Sequence, residues 1–152
     1  MKKFKEFYIE QKYWGKESKL HIITGPYAAG KTTFKQKLIK KLKTTFVREY
    51  PSTVDVNESK WWEDLVDYAE RNDTKVIETH MDYKGREPGE GIKIGKVVKP
   101  PSYIKIYVVL PKLKIIFKRQ QMRDEYTYIE DTKEDYDWYK GILKQMNATQ
   151  VK

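Results

Sequence analysis

The chain has 152 residues, no cysteine, 35% charged residues and a formal net charge of +9. That length fits a single domain over residues 1–152, with a real core but small for an α/β enzyme. Lack of cysteine rules out a disulfide framework and a thiolate metal site. No apolar run approaches the length of a membrane span, and the start MKKFKEFYIEQKYW lacks a signal peptide's apolar stretch. The expectation is a cytoplasmic protein with no membrane partner. The positive charge admits an anionic partner such as nucleic acid, or a solvated lysine-rich surface. Scattered lysines, stacked on no recognisable motif, favour the second. Oligomeric state is not encoded in any of these features.

Residues 1–19 mix Phe4, Phe7, Tyr8, Ile9, Tyr13 and Trp14 with lysines, which predicts a short helix or extra strand packed on the domain. An apolar run, Leu20 to Ile23, then reads as the first core strand. It is followed by Gly25-Pro26-Tyr27-Ala28-Ala29-Gly30-Lys31-Thr32, which fits G-x-x-x-x-G-K-[ST] at every required position. A helix follows from about Thr32 to Lys43, with Phe34, Leu38 and Leu42 at four-residue steps. Lys35, Lys37, Lys40, Lys41 and Lys43 fall off that stripe, where a solvated face is expected.

Strand, glycine-bounded loop and helix together resemble the phosphate-binding loop of the P-loop nucleotide-binding proteins. The residue types suit the chemistry. Gly25 and Gly30 tolerate the dihedrals that turn successive N–H groups inward, and the helix start adds unpaired N–H groups and a positive dipole end. The resemblance implies ATP held by Gly25, Tyr27, Ala28, Ala29, Gly30, Lys31, Thr32 and Thr33. It also implies Lys31 on the outer phosphates and Thr32 on Mg²⁺.

Thr44 to Tyr50 is a β-branched and aromatic run stopped by Pro51, so Arg48 and Glu49 fall at a strand's C-terminal end. In an open α/β sheet ligands bind at that edge. Arg48-Glu49-Tyr50-Pro51 resembles the Arg-Glu-Pro element of nucleoside and nucleotide kinases with one residue inserted. That likeness implies that Arg48 addresses the acceptor and that Glu49 serves as base. Residues 57–72, NESKWWEDLVDYAERN, read as a helix capped by Asn57 or Ser59. Trp61, Leu65 and Ala69 share a face with Trp62, Val66 and Tyr68 beside them; one tryptophan packs in the core, and Trp62 is a candidate to stack on a nucleobase.

Thr74 to His80 is the third strand, and Glu78 stands where P-loop kinases place an acidic residue near Mg²⁺ and acceptor. The arginine that follows it in that family is missing, and His80 is the candidate replacement. Residues 82–102 form a turn-rich insert with Arg86, Lys93, Lys96 and Lys99 available for phosphate. Ser102 to Leu110 is a strand, and Lys112 to Arg123 a helix with Leu113, Phe117 and Gln121 in line and Ile116 beside them. By resemblance its end begins a lid over 119–131, with Arg119 and Arg123 on the transferred phosphoryl group. Thr132-x-x-Asp135 is a capping box, and Tyr136, Tyr139, Leu143 and Met146 form the stripe of a final helix.

This alternation implies an α/β, three-layer P-loop NTPase fold: a parallel sheet, strand order 2-3-1-4, with helices on both faces. The chain leaves no room for a fifth strand after the last helix. The implied function is an ATP- and Mg²⁺-dependent phosphotransferase acting on a nucleoside or nucleotide. Two alternatives stay open: a polynucleotide 5′-hydroxyl kinase and a non-catalytic nucleotide-binding module. ATP is favoured over GTP because no Asn-Lys-x-Asp motif is present.

Overall fold

The computed structural model describes residues 20–42, 48–51, 54–55, 60–82, 100–122 and 129–152. The aromatic N-terminal segment, most of the 82–102 insert and the part of the lid that includes Arg123 lie outside them. The order is β1 (Leu20–Thr24), α1 (Lys31–Leu42), β2 (Arg48–Glu49), β3 (Val54–Asp55), α2 (Lys60–Arg71), β4 (Val76–Glu78), β5 (Met81–Asp82), β6 (Ile104–Val109), α3 (Leu113–Met122), α4 (Ile129–Gln145) and β7 (Thr149–Val151).

β1 is the middle of the molecule. Leu20, Ile22, Ile23 and Thr24 are all fully buried, as a strand covered on both faces requires. It pairs in parallel with β4 on one side and β6 on the other. The main sheet has five strands in the order β2-β4-β1-β6-β7, and β3 and β5 form a separate parallel pair. The four strands read from sequence therefore take the predicted order, strand 2 next to 3, then 1, then 4.

The fifth strand corrects the sequence reading. Thr149–Val151 lies parallel to β6, with Leu110 N–H donating to Val151 O at 2.7 Å and Gln150 Nε2 donating to Leu110 O at 3.0 Å. Thr149 and Gln150 are exposed. An edge strand with one partner needs little apolar pattern, so its three residues carried no signal.

Helices cover both faces. On one, Trp62, Leu65, Val66 and Ala69 of α2 and Trp138, Tyr139 and Ile142 of α4 pack on Leu20, Ile22, Ile104, Ile106 and Val108. On the other, Leu38 of α1 and Ile116 of α3 pack on Ile23, Val76, Tyr107 and Val109. Both α2 and α4 end on a left-handed residue, Asp73 (φ 49°) and Asn147 (φ 52°). Thr74 N–H then bonds Ala69 O, and Ala148 N–H bonds Leu143 O, the closure expected of a Schellman turn.

Two helical details differ from expectation. On α3 the buried positions are Ile116 and Gln120, while Gln121 is exposed and Met122 is 77% exposed. The buried face is turned from the predicted line because Gln120 finds a partner in Thr132, whose Oγ1 donates to Gln120 Oε1 at 3.4 Å. Thr132 is therefore not a cap; α4 starts at Ile129. Trp138, absent from the predicted stripe, is 1% exposed and donates Nε1–H to Met81 O at 2.8 Å. Leu65→Ala, cutting a fully buried side chain from α2, is expected to cost about 3 kcal/mol in urea unfolding.

Candidate active site

The loop between β1 and α1 is shaped by its glycines. Gly25 has φ 150° and Gly30 φ 100°, and Ala28 adopts φ 64° without glycine's freedom. A Cβ on Gly25 would stand 2.6 Å from the Val109 carbonyl oxygen, so the loop is pressed against the end of β6. Ala28 and Ala29 are buried among Ile23, Leu38 and Val109, which anchors the loop's far side; Tyr27, at its tip, is 50% exposed. Ala29 N–H donates to Pro26 O, and Phe34 N–H to Gly30 O opens the helix. Thr32 and Thr33 are exposed in its first turn.

Lys31 reaches back over the loop, donating from Nζ to Gly25 O at 2.8 Å and Pro26 O at 3.4 Å. Burial lowers its ammonium pKa from the ordinary 10.5; Glu78 and Asp135 pull it upward, Lys35 presses it down, and Glu49 also raises it. A cation held with its hydration largely stripped is primed for a phosphate.

Arg119 of α3 meets the same loop. Its Nη1 donates to Ala29 O at 2.7 Å and lies 2.8 Å from where a Gly30 Cβ would be. A residue ninety positions along is thus brought to the loop. Arg123 falls outside the described residues.

The parallel strands β1, β2 and β4 all end at this edge. In register, Glu49 of β2 lies beside Glu78 of β4, and Tyr50 N–H donates to Glu78 O at 2.8 Å. There a cleft of about 250 Å³ opens, lined by Lys31, Glu49, Tyr50, Pro51, Glu78, Thr79 and His80. Lys31, Glu49, Glu78 and His80 are therefore assembled in one place. Arg48 occupies the β2 position opposite Ile77.

Two assignments change. Trp62 is 3% exposed in the α2 core cluster and lines no part of the cleft, so it does not stack on a base. The amphipathic turn of α2 carries it inward with Leu65 and Val66. Lys35, expected on a solvated face, donates to Glu78 Oε2 at 2.5 Å and is half-buried. It follows Lys31 by one helical turn, so both lysines point at the β4 end. Helical spacing separates an apolar stripe from its complement, but not which polar side chain meets a sheet edge. A double-mutant cycle of Lys35→Met and Glu78→Gln, read by urea unfolding, is expected to give a coupling of about 1–2 kcal/mol.

The donor set available for a metal is oxygen: the Thr32 hydroxyl and the second Glu78 oxygen. Among the described residues no group of three or more histidine or carboxylate side chains forms a metal cage. Oxygen donors of this kind suit Mg²⁺, which takes one or two protein oxygens and completes its shell with phosphate and water. No described helix is long and apolar enough to cross a membrane.

No protein-family model matches the chain, and no curated protein matches it in sequence. Solved structures do match. YorR from Bacillus subtilis, in complex with phosphorylated GDP, aligns over 86% of this chain and 83% of its own, with 18% identity and a TM-score of 0.52. The chain shares the fold of that structure, α/β with a parallel sheet covered by helices on both faces. Deoxyadenosine kinase from M. mycoides, with bound dATP, covers 88% of this chain and 90% of its own at 14% identity and a TM-score of 0.48. Within that fold, Lys35, Asp135, Thr79, Tyr50 and Tyr139 belong to the site or its support and were not read from sequence. Tyr139 was read as part of the α4 stripe, Asp135 as a cap and Lys35 as solvated, signals that spoke of packing and helix ends and not of a site.

Proposed function

We propose that this chain is a phosphotransferase that takes the γ-phosphate of ATP and passes it to a nucleoside or nucleotide. The observation that carries this reading is the continuity of loop and cleft: Lys31 belongs to both, bonded to the loop carbonyls while lining the space beside Glu49, Glu78 and His80. A donor phosphate held by the loop N–H groups and an acceptor in that space meet at the lysine.

Phosphoryl transfer gathers charge on the oxygens of the moving group, so positioning and electrostatics supply most of the acceleration. Lys31 holds the outer phosphates. Arg119, docked on the loop by one of its five N–H donors, keeps others for the transferred group. Thr32 and Glu78 would hold Mg²⁺, which would supply neutralisation of charge on the phosphate oxygens. Glu49, exposed at the mouth of the cleft, accepts the proton of an attacking hydroxyl or steadies the acceptor. Arg48 and Arg123 are proposed for acceptor and transferred phosphate respectively.

The test is a transfer assay with γ-labelled ATP and Mg²⁺ against nucleosides, nucleoside monophosphates including guanine nucleotides, and 5′-hydroxyl oligonucleotides. Guanine nucleotides are included because the YorR complex contains phosphorylated GDP. Label on a nucleoside or monophosphate is the expected result. Label on oligonucleotides alone replaces this reading with an end-kinase, and tight ATP binding with no labelled acceptor leaves a binding module.

A further inference from the structure

Glu78 faces the cleft with a carboxylate that α1 already holds by one end. Lys35 Nζ donates to its Oε2 at 2.5 Å, and among the described residues no group donates to Oε1. The two side chains are 26% and 18% exposed, so water competes only weakly for the contact. Lys35 itself does not line the cleft, whereas Glu78 does. The ammonium thus takes one oxygen from the helix side and leaves the other on offer. How many oxygens a carboxylate can give decides which divalent ion it suits. Mg²⁺ is small, demands octahedral geometry and is served by single oxygens from one or two carboxylates. Ca²⁺ takes about 6–8 oxygens, often both from one carboxylate. An oxygen committed to an ammonium obstructs only the second kind of ligation, and selectivity commonly rests on such an obstruction.

We propose that Lys35 makes Glu78 a one-oxygen ligand and thereby selects Mg²⁺ over Ca²⁺ in the nucleotide complex that the loop takes up. This rests on the reading above, in which the loop holds ATP and Glu78 with Thr32 holds its metal. The loop motif gives duties to Lys31 and Thr32 but none to the residue one helical turn beyond Lys31. Lys35 acts through Glu78, which makes it a positioning residue. Its charge opposes either cation alike; the held oxygen alone tells the two apart.

The test is calorimetric titration with the Mg²⁺ and the Ca²⁺ complexes of a non-hydrolysable ATP analogue. Wild type is expected to bind the Mg²⁺ complex more tightly. Lys35→Met narrows that preference about tenfold, mainly by gaining affinity for the Ca²⁺ complex. Lys40→Met, which removes an equal charge from an exposed position of the same helix, leaves the preference as in wild type. In a Glu78→Gln background Lys35→Met changes nothing further, because the carboxylate it acts through is gone. Infrared difference spectra of wild type give a readout that needs no Lys35 variant. The carboxylate bands that Glu78→Gln removes should show the wide splitting of one-oxygen coordination in the Mg²⁺ complex. A Lys35→Met protein with the wild-type preference overturns the proposal. So does a Lys40→Met protein that shifts as far, or a two-oxygen infrared signature in wild type. Wild type that binds neither complex overturns it together with the nucleotide reading. Binding needs no acceptor, so the two readings can fail separately. If these shifts are seen while no acceptor gains label, phosphotransfer has failed and the metal selection stands.

Discussion

Lys31→Met is expected to lower phosphoryl transfer by about 10²–10³-fold while the folded circular dichroism spectrum is kept. The side chain bridges loop and cleft, while among the described residues Lys35 is paired with Glu78 and Arg119 reaches the loop from α3. A second readout follows from its titration. Burial holds the native pKa below the ordinary 10.5, so in alkaline solution the folded state releases this proton before the unfolded state does. The unfolded chain then binds more protons, and stability rises with pH across that interval. The cost of burying the charge is felt in full at neutral pH and fades as pH climbs through the native pKa toward 10.5. Urea midpoints of wild type minus Lys31→Met should therefore drift in favour of wild type on going alkaline. A flat difference, or a variant with full transfer to any acceptor, contradicts both the burial and the role.

Gly25→Ala is expected to destabilise the protein by about 2–4 kcal/mol and to abolish nucleotide binding at ordinary temperatures. The new methyl group meets a backbone carbonyl, Val109 O, at 2.6 Å, in a strand paired to β1 and β7, and the φ of +150° is one that alanine rarely adopts. Gly30→Ala is the contrast. Its obstacle is the far end of the Arg119 side chain, which can swing aside, so stability falls less, by about 1–2 kcal/mol, although φ +100° is strained. What that variant loses is the bond from Arg119 to Ala29, so its defect should appear as slower transfer. Thermal melts and nucleotide titrations of the pair decide the matter, and Gly30→Ala as the less stable protein would refute it.

Much of this site was readable from the chain because its parts are local. Gly25 to Thr32 carry their spacing in sequence, and β1 announces itself by an unbroken apolar run. Glu49 and Glu78 were found as strand ends, since Pro51 and the turn at Asn72-Asp73 mark where strands stop and start. What could not be read depends on distant partners. Nothing in the spacing of Lys35 says that Glu78 waits for it, and nothing near Trp62 says that its ring is buried in the core. Gln120 reads as a surface residue until Thr132 is known to sit opposite. β7 is the extreme case: with two of three residues exposed, its strand identity comes wholly from the free edge of β6.

The contact between Gly25 and Val109 also bears on the order in which the molecule can be assembled. A chain made from its N-terminus has the whole loop sequence early, but the surface that the loop leans on belongs to β6, which comes after α1 and α2. That strand is in turn flanked on its open side only when β7 pairs with it. Parallel pairings of this kind close long stretches of chain before they are rewarded, which slows folding. The loop between β1 and α1 is therefore among the last features to acquire its shape, although its residues come early in the chain. Nucleotide added during refolding should report completion of the sheet, not an early nucleus at the loop.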